Sequence, residues 1–406
     1  MKLLLLSPSP LGGAMGQGGA TACANALQAL VRVHEVAVLC FSAGTAADQS
    51  ALLEMRQAGC QVSTVPLRVN KLKVLMAKTR SLLTHTPEHA IYFESDAFRS
   101  ALANTLRTFK PEGVIVFFPQ MAQYLQHCGQ VPCAQDVQDA FSVSWYRRAL
   151  TAPRGWRALY ARKQWRNWVA YESKHYPQAT RCWTPSEQDQ YGLNIFNPDL
   201  RVRSVGIPLA QHVLRPKKPP SGASAVGFIA SFSHPPNREA LAHFLSHIVP
   251  QVNAQTEGVE FLIAGREPPK SMMTGVPANV RFLGFVESLP DFYANCSVIV
   301  APLLSGGGVK IKVAEALCYG KAVVTTPVGA EGMPIENGLH AMVESDPQRF
   351  ARAISLLLAS SELRERYEKA ASSLAEQAFS IDAWLTRVND QIEQMVKAPP
   401  QALSHG

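Results

Sequence analysis

The chain has 406 residues and a formal net charge of +8, and 47% of its residues are hydrophobic while 17% are charged. Because this length exceeds what one compact core supports, two domains of roughly 200 residues each are expected. The composition is that of an ordinary globular protein, which excludes extensive disorder. No stretch reaches the roughly 20 consecutive apolar residues that span a bilayer, so an integral membrane protein is also excluded.

The start of the chain, MKLLLLSPSP, has one lysine and a leucine run that prolines interrupt. A signal peptide needs a longer apolar region and a small-residue cleavage site, so we interpret this start as a buried strand. The eight cysteines stand singly, and no two have the spacing of a zinc site or a redox pair. They predict buried thiols in a reducing compartment, and hence a cytoplasmic protein.

The first half of the chain alternates strand-like and helix-like segments. The predicted strands are KLLLLSP, HEVAVLCF, QVSTVPL and GVIVFFP, and the predicted helices between the first three are GATACANALQALVR and AADQSALLEMRQAG. The run GVIVFFP is continuous, apolar and rich in β-branched residues, as in strands covered on both faces. This alternation predicts an α/β fold with a doubly wound parallel sheet, whose ligands lie at the carboxyl ends of the strands.

The segment from Trp145 to Lys174 is unusually basic and aromatic. Its sequence, WYRRALTAPRGWRALYARKQWRNWVAYESK, contains eight basic residues, four tryptophans and the single acid Glu172. We expect one long surface helix here, with two interpretations left open. Either the helix touches an anionic membrane surface or acceptor, or its tryptophans face the domain core while its arginines are solvated. Nucleic acid is not an expected partner.

A second α/β alternation follows a stretch rich in Pro, Lys, Gly and Ser. This shift marks a linker at 208–224 between domains at 1–207 and 225–380. In the second domain we expect helices starting at Asn237 and Leu289. For 381–406 we expect a helix that returns to the N-terminal domain and ends in a disordered tail.

One segment of the second half, SGGGVKIKVAEALCYG, predicts an anion site. A buried strand at 298–303 runs into a glycine turn and then a helix over 309–319, whose free amides and dipole favour an anion. Lys310 and Lys312 place positive charge where the dipole disfavours it, which suggests a negative ligand. Each feature also has a plain structural explanation: a tight turn for the glycines and a solvated face for the lysines.

Glu315 follows in an otherwise apolar helical turn. A carboxylate near the core is costly unless it is hydrogen-bonded, and a ribose diol supplies two donors. An ion pair with a lysine one turn away is the other reading. Together, the glycines, lysines and Glu315 suggest a nucleoside diphosphate.

This segment resembles the donor-site motif of the retaining, group 1 (family 4-like) GT-B glycosyltransferases, in the subgroup written G-G-G-V-K/R-I-K-x-x-E-A. Further matches are VGFIASFSHPPNREALAHFL, FLIAGRE, VRFLGFVESLPDFYANCSVIVAP, TPVGAEGM and the N-terminal GQGGATACANALQAL. The resemblance implies two Rossmann-like domains facing across a cleft. It further implies hexosyl transfer with retention, from a nucleotide-sugar donor to a saccharide or lipid-linked acceptor, in bacterial polysaccharide or glycoconjugate biosynthesis.

The resemblance also implies roles for particular residues. Glu315 would hold the ribose hydroxyls, and Lys310 with the amides near Gly307 and Gly308 would hold the diphosphate. The remaining donor residues carried over are Phe285 and Val286 for the base, Gly18 and Gly19 from the other domain, and His234 and Asn237 near the leaving phosphate. Lys310 and His234 are the expected catalytic residues. For His234, a helix-start residue that is hydrogen-bonded locally is the competing interpretation.

We expect the acceptor on the N-terminal domain, beyond the strand that ends FFPQMAQYL. Gln120, Gln123 and Asp139 are the candidate partners of its sugar hydroxyls, although loop and cap residues of these types are common. No D-x-D sequence or ligand cluster stands out, so neither a metal nor another cofactor is expected. A peripheral position at the inner face of the membrane would fit a lipid-linked acceptor.

The sequence departs from the family pattern in two places. The family's first motif glutamate is Gly307 here, and the usual arginine and lysine pair early in the second domain is reduced to Arg238. Three alternatives therefore stay open: a nucleotide-sugar 2-epimerase of the same fold, a non-catalytic nucleotide-sugar binder, and a dinucleotide oxidoreductase. The last would show a clean G-x-G-x-x-G after its first strand, which LGGAMGQGGA lacks.

Overall fold

The structure is a computed structural model that describes residues 1–12, 18–67, 70–209 and 224–398. Its described residues divide into two compact units, with boundaries at Ile207 and Ala383. Each unit is built on one parallel sheet with its helices in the crossovers. Most of the expected linker, 210–223, and the expected disordered tail, 399–406, lie outside the described residues.

The first unit contains a seven-stranded parallel sheet in the order β3-β2-β1-β4-β5-β6-β7. Its strands are β1 Lys2–Ser7, β2 Glu35–Ser42, β3 Gln61–Pro66, β4 Gly113–Phe117, β5 Cys133–Asp136, β6 Arg181–Thr184 and β7 Val202–Ser204. Its helices are α1 Gly18–Leu30, α2 Ala46–Gln57, α3 Lys71–Leu83, α4 Glu88–Tyr92, α5 Asp96–Phe109, α6 Phe141–Thr151, α7 Trp156–His175 and α8 Glu187–Phe196, with 3₁₀ segments Pro119–His127 and Tyr176–Gln178. The run Leu3 to Leu6 is fully buried because helices cover both faces of the sheet.

The second unit contains a six-stranded parallel sheet in the order β10-β9-β8-β11-β12-β13. Its strands are β8 Ser224–Ile229, β9 Val259–Ala264, β10 Val280–Gly284, β11 Val298–Ala301, β12 Ala322–Thr325 and β13 Met342–Val343. Its helices are α9 Pro235–His243, α10 Val249–Gln255, α11 Lys270–Met273, α12 Leu289–Asn295, α13 Ile311–Cys318, α14 Pro327–Ala330, α15 Pro347–Ala359 and α16 Ser361–Ala378, with a π-helical turn Phe244–Ile248. The two doubly wound parallel sheets confirm the predicted fold class.

The last helix, α17 (Ile381–Lys397), continues along the chain from the second unit into the first. Within the first unit, Asn389 Oδ1 lies 2.9 Å from His34 Nε2, and Arg387 Nε donates to the Val205 carbonyl at 3.0 Å. Apolar side chains of the helix, including Val388 and Ile392, are fully buried. The final helix is therefore part of the core of the first unit.

Three sequence expectations need correction. The basic aromatic segment forms two helices, α6 and α7, because Pro153 disfavours helical backbone at the residue before it and Gly155 has a φ of 110°. The helix expected over 309–319 is shorter, and the helix expected from Asn237 begins two residues earlier, at Pro235. Proline suits that first position, since its missing N–H has no helical partner.

The eight cysteines are all free and buried, as predicted. Among the described residues, no helix is both long enough and apolar enough to cross a bilayer. In the same part of the chain, no three His, Cys, Asp or Glu side chains come together as metal ligands.

Candidate functional site

The glycine turn lies at the carboxyl edge of the second sheet, between β11 and α13. Gly306 has a φ of 122° and Gly308 a φ of 64°, values that glycine adopts without strain. A Cβ atom on Gly306 would lie 3.9 Å from Pro236 Cβ, at the start of α9. Ser305 Oγ donates to Glu239 Oε2 on the same helix at 2.5 Å. The turn is thus fixed against the N-terminal end of α9.

Lys310 is buried at the N-cap position of α13. Its Nζ donates to the Gly308 carbonyl at 2.6 Å and lies 3.3 Å from Glu331 Oε2, just after α14. Glu331 therefore offsets the charge of Lys310 in this structure. Sequence reasoning missed Glu331, although it belongs to the TPVGAEGM segment.

Lys312 is the second residue of α13, and its side chain reaches back to α9. Its Nζ donates to Asn237 Oδ1, and Asn237 Nδ2 donates to the Ser231 carbonyl at 2.6 Å. Burial and the positive charge of Lys310 lower the pKa of Lys312 to about 8, while Glu315 opposes this shift. Two lysines are thus held close together, which favours a negatively charged ligand beside them.

Glu315 lies one turn further along α13 and is half-buried. Burial raises the pKa of its carboxyl to about 7, and the charge of Lys312 moderates the rise. Among the described residues, no hydrogen bond or ion pair is formed by this carboxylate. It is an available acceptor for hydroxyl donors, and the alternative of an ion pair with a lysine is not what the structure shows.

The ends of β8, β9 and β10 form the opposite side of this edge. Gly265 N donates to the Gly284 carbonyl at 2.7 Å, and Gly265 has a φ of 140°. Phe285, which follows β10, is 55% exposed, and the Arg266 guanidinium lies 4.2 Å from its ring centroid. Val286 beside it is half-buried. The Phe285 ring and the Arg266 guanidinium thus form an exposed flat surface at the sheet edge. The main-chain groups of Phe285 and Val286 lie at the same edge.

His234 is the N-cap residue of α9, and its side chain makes no capping hydrogen bond. It lies after the carboxyl end of β8, and Asn237 follows it in the first turn of α9. Arg238, the remaining cation of this segment, donates from Nη1 to the Phe232 and Ser233 carbonyls, both at 2.9 Å. Arg238 therefore stabilises the turn before α9, and its Nη1 group is used for these two hydrogen bonds.

In the first unit, Gly18 and Gly19 are the first two residues of α1, and residues 13–17 of the glycine loop lie outside the described residues. Gln120 and Gln123 are buried in the 3₁₀ segment after β4. Gln123 Nε2 donates to the carbonyls of Ala90 and Gln120, both at 3.0 Å, so the fold itself uses this amide.

Gln120 Oε1 is buried and has no hydrogen-bond partner among the described residues. Asp139 accepts a hydrogen bond from Ser144 Oγ at 2.7 Å. Nearby in sequence, Asp136 ends β5 and is buried; burial raises its pKa to about 7, and a hydrogen bond from Gln138 opposes the rise. Sequence reasoning missed Asp136, although an acid ending a buried strand was a usable signal. The roles expected for Gln120, Gln123 and Asp139 stay predictions.

Comparison with known proteins relates both sequence and structure to carbohydrate enzymes. Residues 223–360 match the family described as glycosyl transferases group 1. Anabaena HepE in complex with UDP superposes with a TM-score of 0.68 at 14% identity, over 97% of this chain and 100% of that one. Sucrose-phosphate synthase from Thermosynechococcus elongatus gives a TM-score of 0.72 at 13% identity, over 98% and 100%.

The chain has the GT-B fold. A curated relative, an uncharacterized 44.6 kDa protein in the cps region of Klebsiella pneumoniae, is 25% identical over 162 residues. This match spans 38% of the chain and only 39% of that relative. The family match lies in the second unit of this GT-B protein and includes the glycine turn, the two lysines and Glu315. Family match and fold together support a GT-B glycosyltransferase.

Proposed function

We propose that the protein is a retaining glycosyltransferase that moves a hexose from a nucleoside diphosphate sugar to a saccharide acceptor. The observation that carries the proposal is the half-buried carboxylate of Glu315, which accepts no hydrogen bond from the described residues and lies one helical turn beyond the half-buried Lys312, with the buried Lys310 just before it. A carboxylate acceptor beside two cations matches the hydroxyl and phosphate groups of a nucleoside diphosphate. Neighbouring structures with UDP and UDP-glucose support this assignment.

In this proposal Glu315 accepts hydrogen bonds from the ribose hydroxyls. Lys310 and the amides near Gly307 and Gly308 bind the diphosphate, and the main chain of Phe285 and Val286 binds the base. Lys312 adds positive charge and holds Asn237 in place. Gly18 and Gly19, at the start of α1, are further proposed donor-binding residues.

The chemical step needs stabilisation of the negative charge that develops on the departing diphosphate. Amides and lysines fixed before the reaction supply this without a protein nucleophile. Lys310 and His234 are the proposed catalytic residues, since they would contact the leaving phosphate. With retention, the leaving phosphate itself accepts the proton of the attacking acceptor hydroxyl, so no protein base is required.

For the acceptor, we propose a saccharide, soluble or lipid-linked, bound by the first unit through Gln120 and Asp139, with Gln123 positioning the same segment. The relative in the cps region of Klebsiella pneumoniae supports a place in polysaccharide or glycoconjugate assembly. The proposed location is the cytoplasm, in peripheral contact with the membrane, and the proposed reaction uses no metal or other cofactor.

The absence of the family's first glutamate, at Gly307, favours one competing candidate, a nucleotide-sugar binder without activity. Incubation with nucleotide sugars and a panel of saccharide acceptors, followed by mass spectrometry and NMR of the products, separates the candidates. Transfer gives a glycosylated acceptor with the donor's anomeric configuration. Unchanged donor would support the binder, an epimerised donor would support a 2-epimerase, and inversion would refute retention.

We expect the affinity for the tightest-binding nucleotide sugar to be greatest between pH 7 and 8. Below pH 7 Glu315 gains a proton and loses its acceptor function, and above pH 8 Lys312 loses its charge. At pH 6 binding should be roughly eightfold weaker than at pH 7.5, which follows from titration of one group near 7. Titration calorimetry at four pH values tests this with an intact nucleotide sugar, and Glu315→Gln should lack the acidic limb. A flat profile in the wild type would contradict the assigned roles.

We also expect opposite effects from the two partners of the Lys310 ion pair. Lys310→Met should weaken nucleotide-sugar binding at least tenfold, because a charge-assisted phosphate contact contributes about 1.5–3 kcal/mol. Glu331→Gln should leave binding unchanged or improve it, because Lys310 no longer has to exchange a carboxylate for a phosphate. Fluorescence titration measures both, with the exposed Lys369→Met as control. Equal losses in Lys310→Met and Glu331→Gln would show that the pair is purely structural.

A further inference from the structure

Helix α3 in the first unit has its apolar face turned toward solvent. Ala77 and Ser81 are its buried residues. The large apolar side chains that are more than half exposed are Leu72 at 63%, Leu75 at 62%, Met76 at 63%, Leu82 at 53% and Leu83 at 82%. Leu72, Leu75, Met76 and Leu83 recur at helical spacing, with Thr79 in the same row, and form one largely apolar stripe of the kind that normally faces a core. In α3 it does not.

The small, polar side of α3 is held in place by α7. Gln164 Nε2 donates to Ser81 Oγ at 2.9 Å, and Asn167 Nδ2 donates to the Ser81 carbonyl at 2.7 Å. Lys163 Nζ donates to the Thr84 carbonyl at 2.8 Å. These contacts fix the orientation of α3, so the outward stripe is a property of the folded unit.

The neighbouring helices α7 and α6 extend this exposed apolar surface. Helix α7 packs against both α3 and α6. Trp156 is 72% exposed, Leu159 66% and Leu150 67%. A groove of about 300 Å³ between α6 and α7 is lined by Tyr146, Ala149, Leu150, Arg162, Trp165 and Arg166. We call the exposed side chains of α3, α6 and α7 the three-helix surface.

The three-helix surface is strongly basic. Helix α3 has four basic residues and no acid, and residues 141–175 have eight basic residues and one acid, Glu172. Glu172 is fully buried, so it does not offset the exposed charges, whereas Arg80 on α3 is paired with Glu94. These twelve basic residues exceed the net charge of +8 of the whole chain. A second copy of the protein is a poor occupant, because pairing this surface with itself brings like charges together.

We propose that the three-helix surface docks on an anionic lipid bilayer. Leucine, methionine and tryptophan side chains enter the interface between headgroups and acyl chains, while lysines and arginines contact lipid phosphates. The two arginines that line the groove between α6 and α7 suit a single phosphate headgroup. The proposal rests on this surface alone and not on the donor site.

Vesicle flotation of the full-length protein tests the proposal, with phosphatidylcholine vesicles compared with vesicles of phosphatidylcholine and phosphatidylglycerol. We expect binding to the anionic vesicles that weakens as salt is added, and little binding to the neutral ones. Lys71→Gln with Lys78→Gln should reduce binding roughly twenty-five-fold, since each basic residue near the surface contributes about fivefold. Leu75→Gln with Met76→Gln should reduce it at least tenfold.

Matched controls are Leu53→Gln with Leu356→Gln, which are exposed apolar residues outside this surface, and Lys369→Gln. They should bind vesicles like the wild type, and all variants should bind nucleotide sugar equally. Three results would overturn the proposal: no flotation of the wild type with anionic vesicles, equal flotation of surface variants and controls, or a wild-type dimer that Leu75→Gln dissociates. Glu315→Ala should still float, so failure of the donor site is distinguishable.

Discussion

Replacing Glu315 by alanine is expected to weaken nucleotide-sugar binding by about a hundredfold. The carboxylate would otherwise accept two ribose hydroxyls, and each hydrogen bond to a charged group contributes about 1.5–3 kcal/mol. In the absence of ligand, the substitution removes no hydrogen bond among the described residues and changes only the electrostatic interaction with Lys312. Titration calorimetry with the nucleotide sugar that binds the wild type best gives the two dissociation constants.

Glu362→Ala, an exposed acid on α16 of the same unit, is the matched control and should bind like the wild type. Folding can be checked at the same time, because the raised pKa of Glu315 means that the folded state holds this proton more tightly than the unfolded state. Its ionisation therefore disfavours folding as the pH rises from about 4.5 to about 7. At pH 8 the Glu315→Gln variant should unfold no earlier than the wild type. Undiminished binding by Glu315→Ala would remove Glu315 from the donor site.

Replacing Gly265 by alanine is expected to destabilise the second unit by about 4 kcal/mol, at the upper end of single-residue effects. The added Cβ atom would lie 1.7 Å from the Ala230 carbonyl oxygen, and the φ of 140° is itself unfavourable for alanine. Backbone on both sides is held in the sheet, so the clash cannot relax through a flexible side chain. Urea unfolding followed by circular dichroism should show a midpoint lower by roughly 1–2 M.

Gly275→Ala is the control for this substitution. Gly275 has a φ of 73°, but a Cβ atom there would meet nothing within 4 Å. It should cost only about 1 kcal/mol, the penalty for left-handed backbone without a clash. If both variants unfold at the same urea concentration, the close approach of β8 and β9 is not rigid.

The strands were the most predictable part of the fold. VIVA and AVVT are continuous β-branched runs, and only a sheet covered on both faces buries such runs completely. The start of α13 was less predictable. Lys310 has a ψ of 89°, outside the helix, and its ammonium group turns back to the Gly308 carbonyl. That contact depends on the glycine turn and on Glu331, which helical spacing does not relate to Lys310.

The unusual placement of Glu315 was readable because an acid in an apolar helical turn stands out on local grounds alone. The hydrogen bonds of Asn237 with Lys312, of Gln123 with Ala90 and of Ser81 with α7 were not readable. Each of them joins two different elements. Which side of α3 faces the core could not be predicted from the sequence for a related reason. An apolar stripe has the same sequence pattern whether it faces the core or solvent, and only the contacts of Ser81 with α7 decide between them.

The most direct test of the central claim is the thermal stability of the purified protein with a panel of nucleotide sugars and NAD(P), beside Glu315→Ala. A ligand at about 100 times its dissociation constant should stabilise the folded protein by roughly 2.7 kcal/mol. We predict stabilisation by a nucleotide sugar that Glu315→Ala largely loses. Stabilisation by NAD(P) alone, or by no nucleotide sugar at all, would contradict the assignment of a nucleotide-sugar donor site to the second unit.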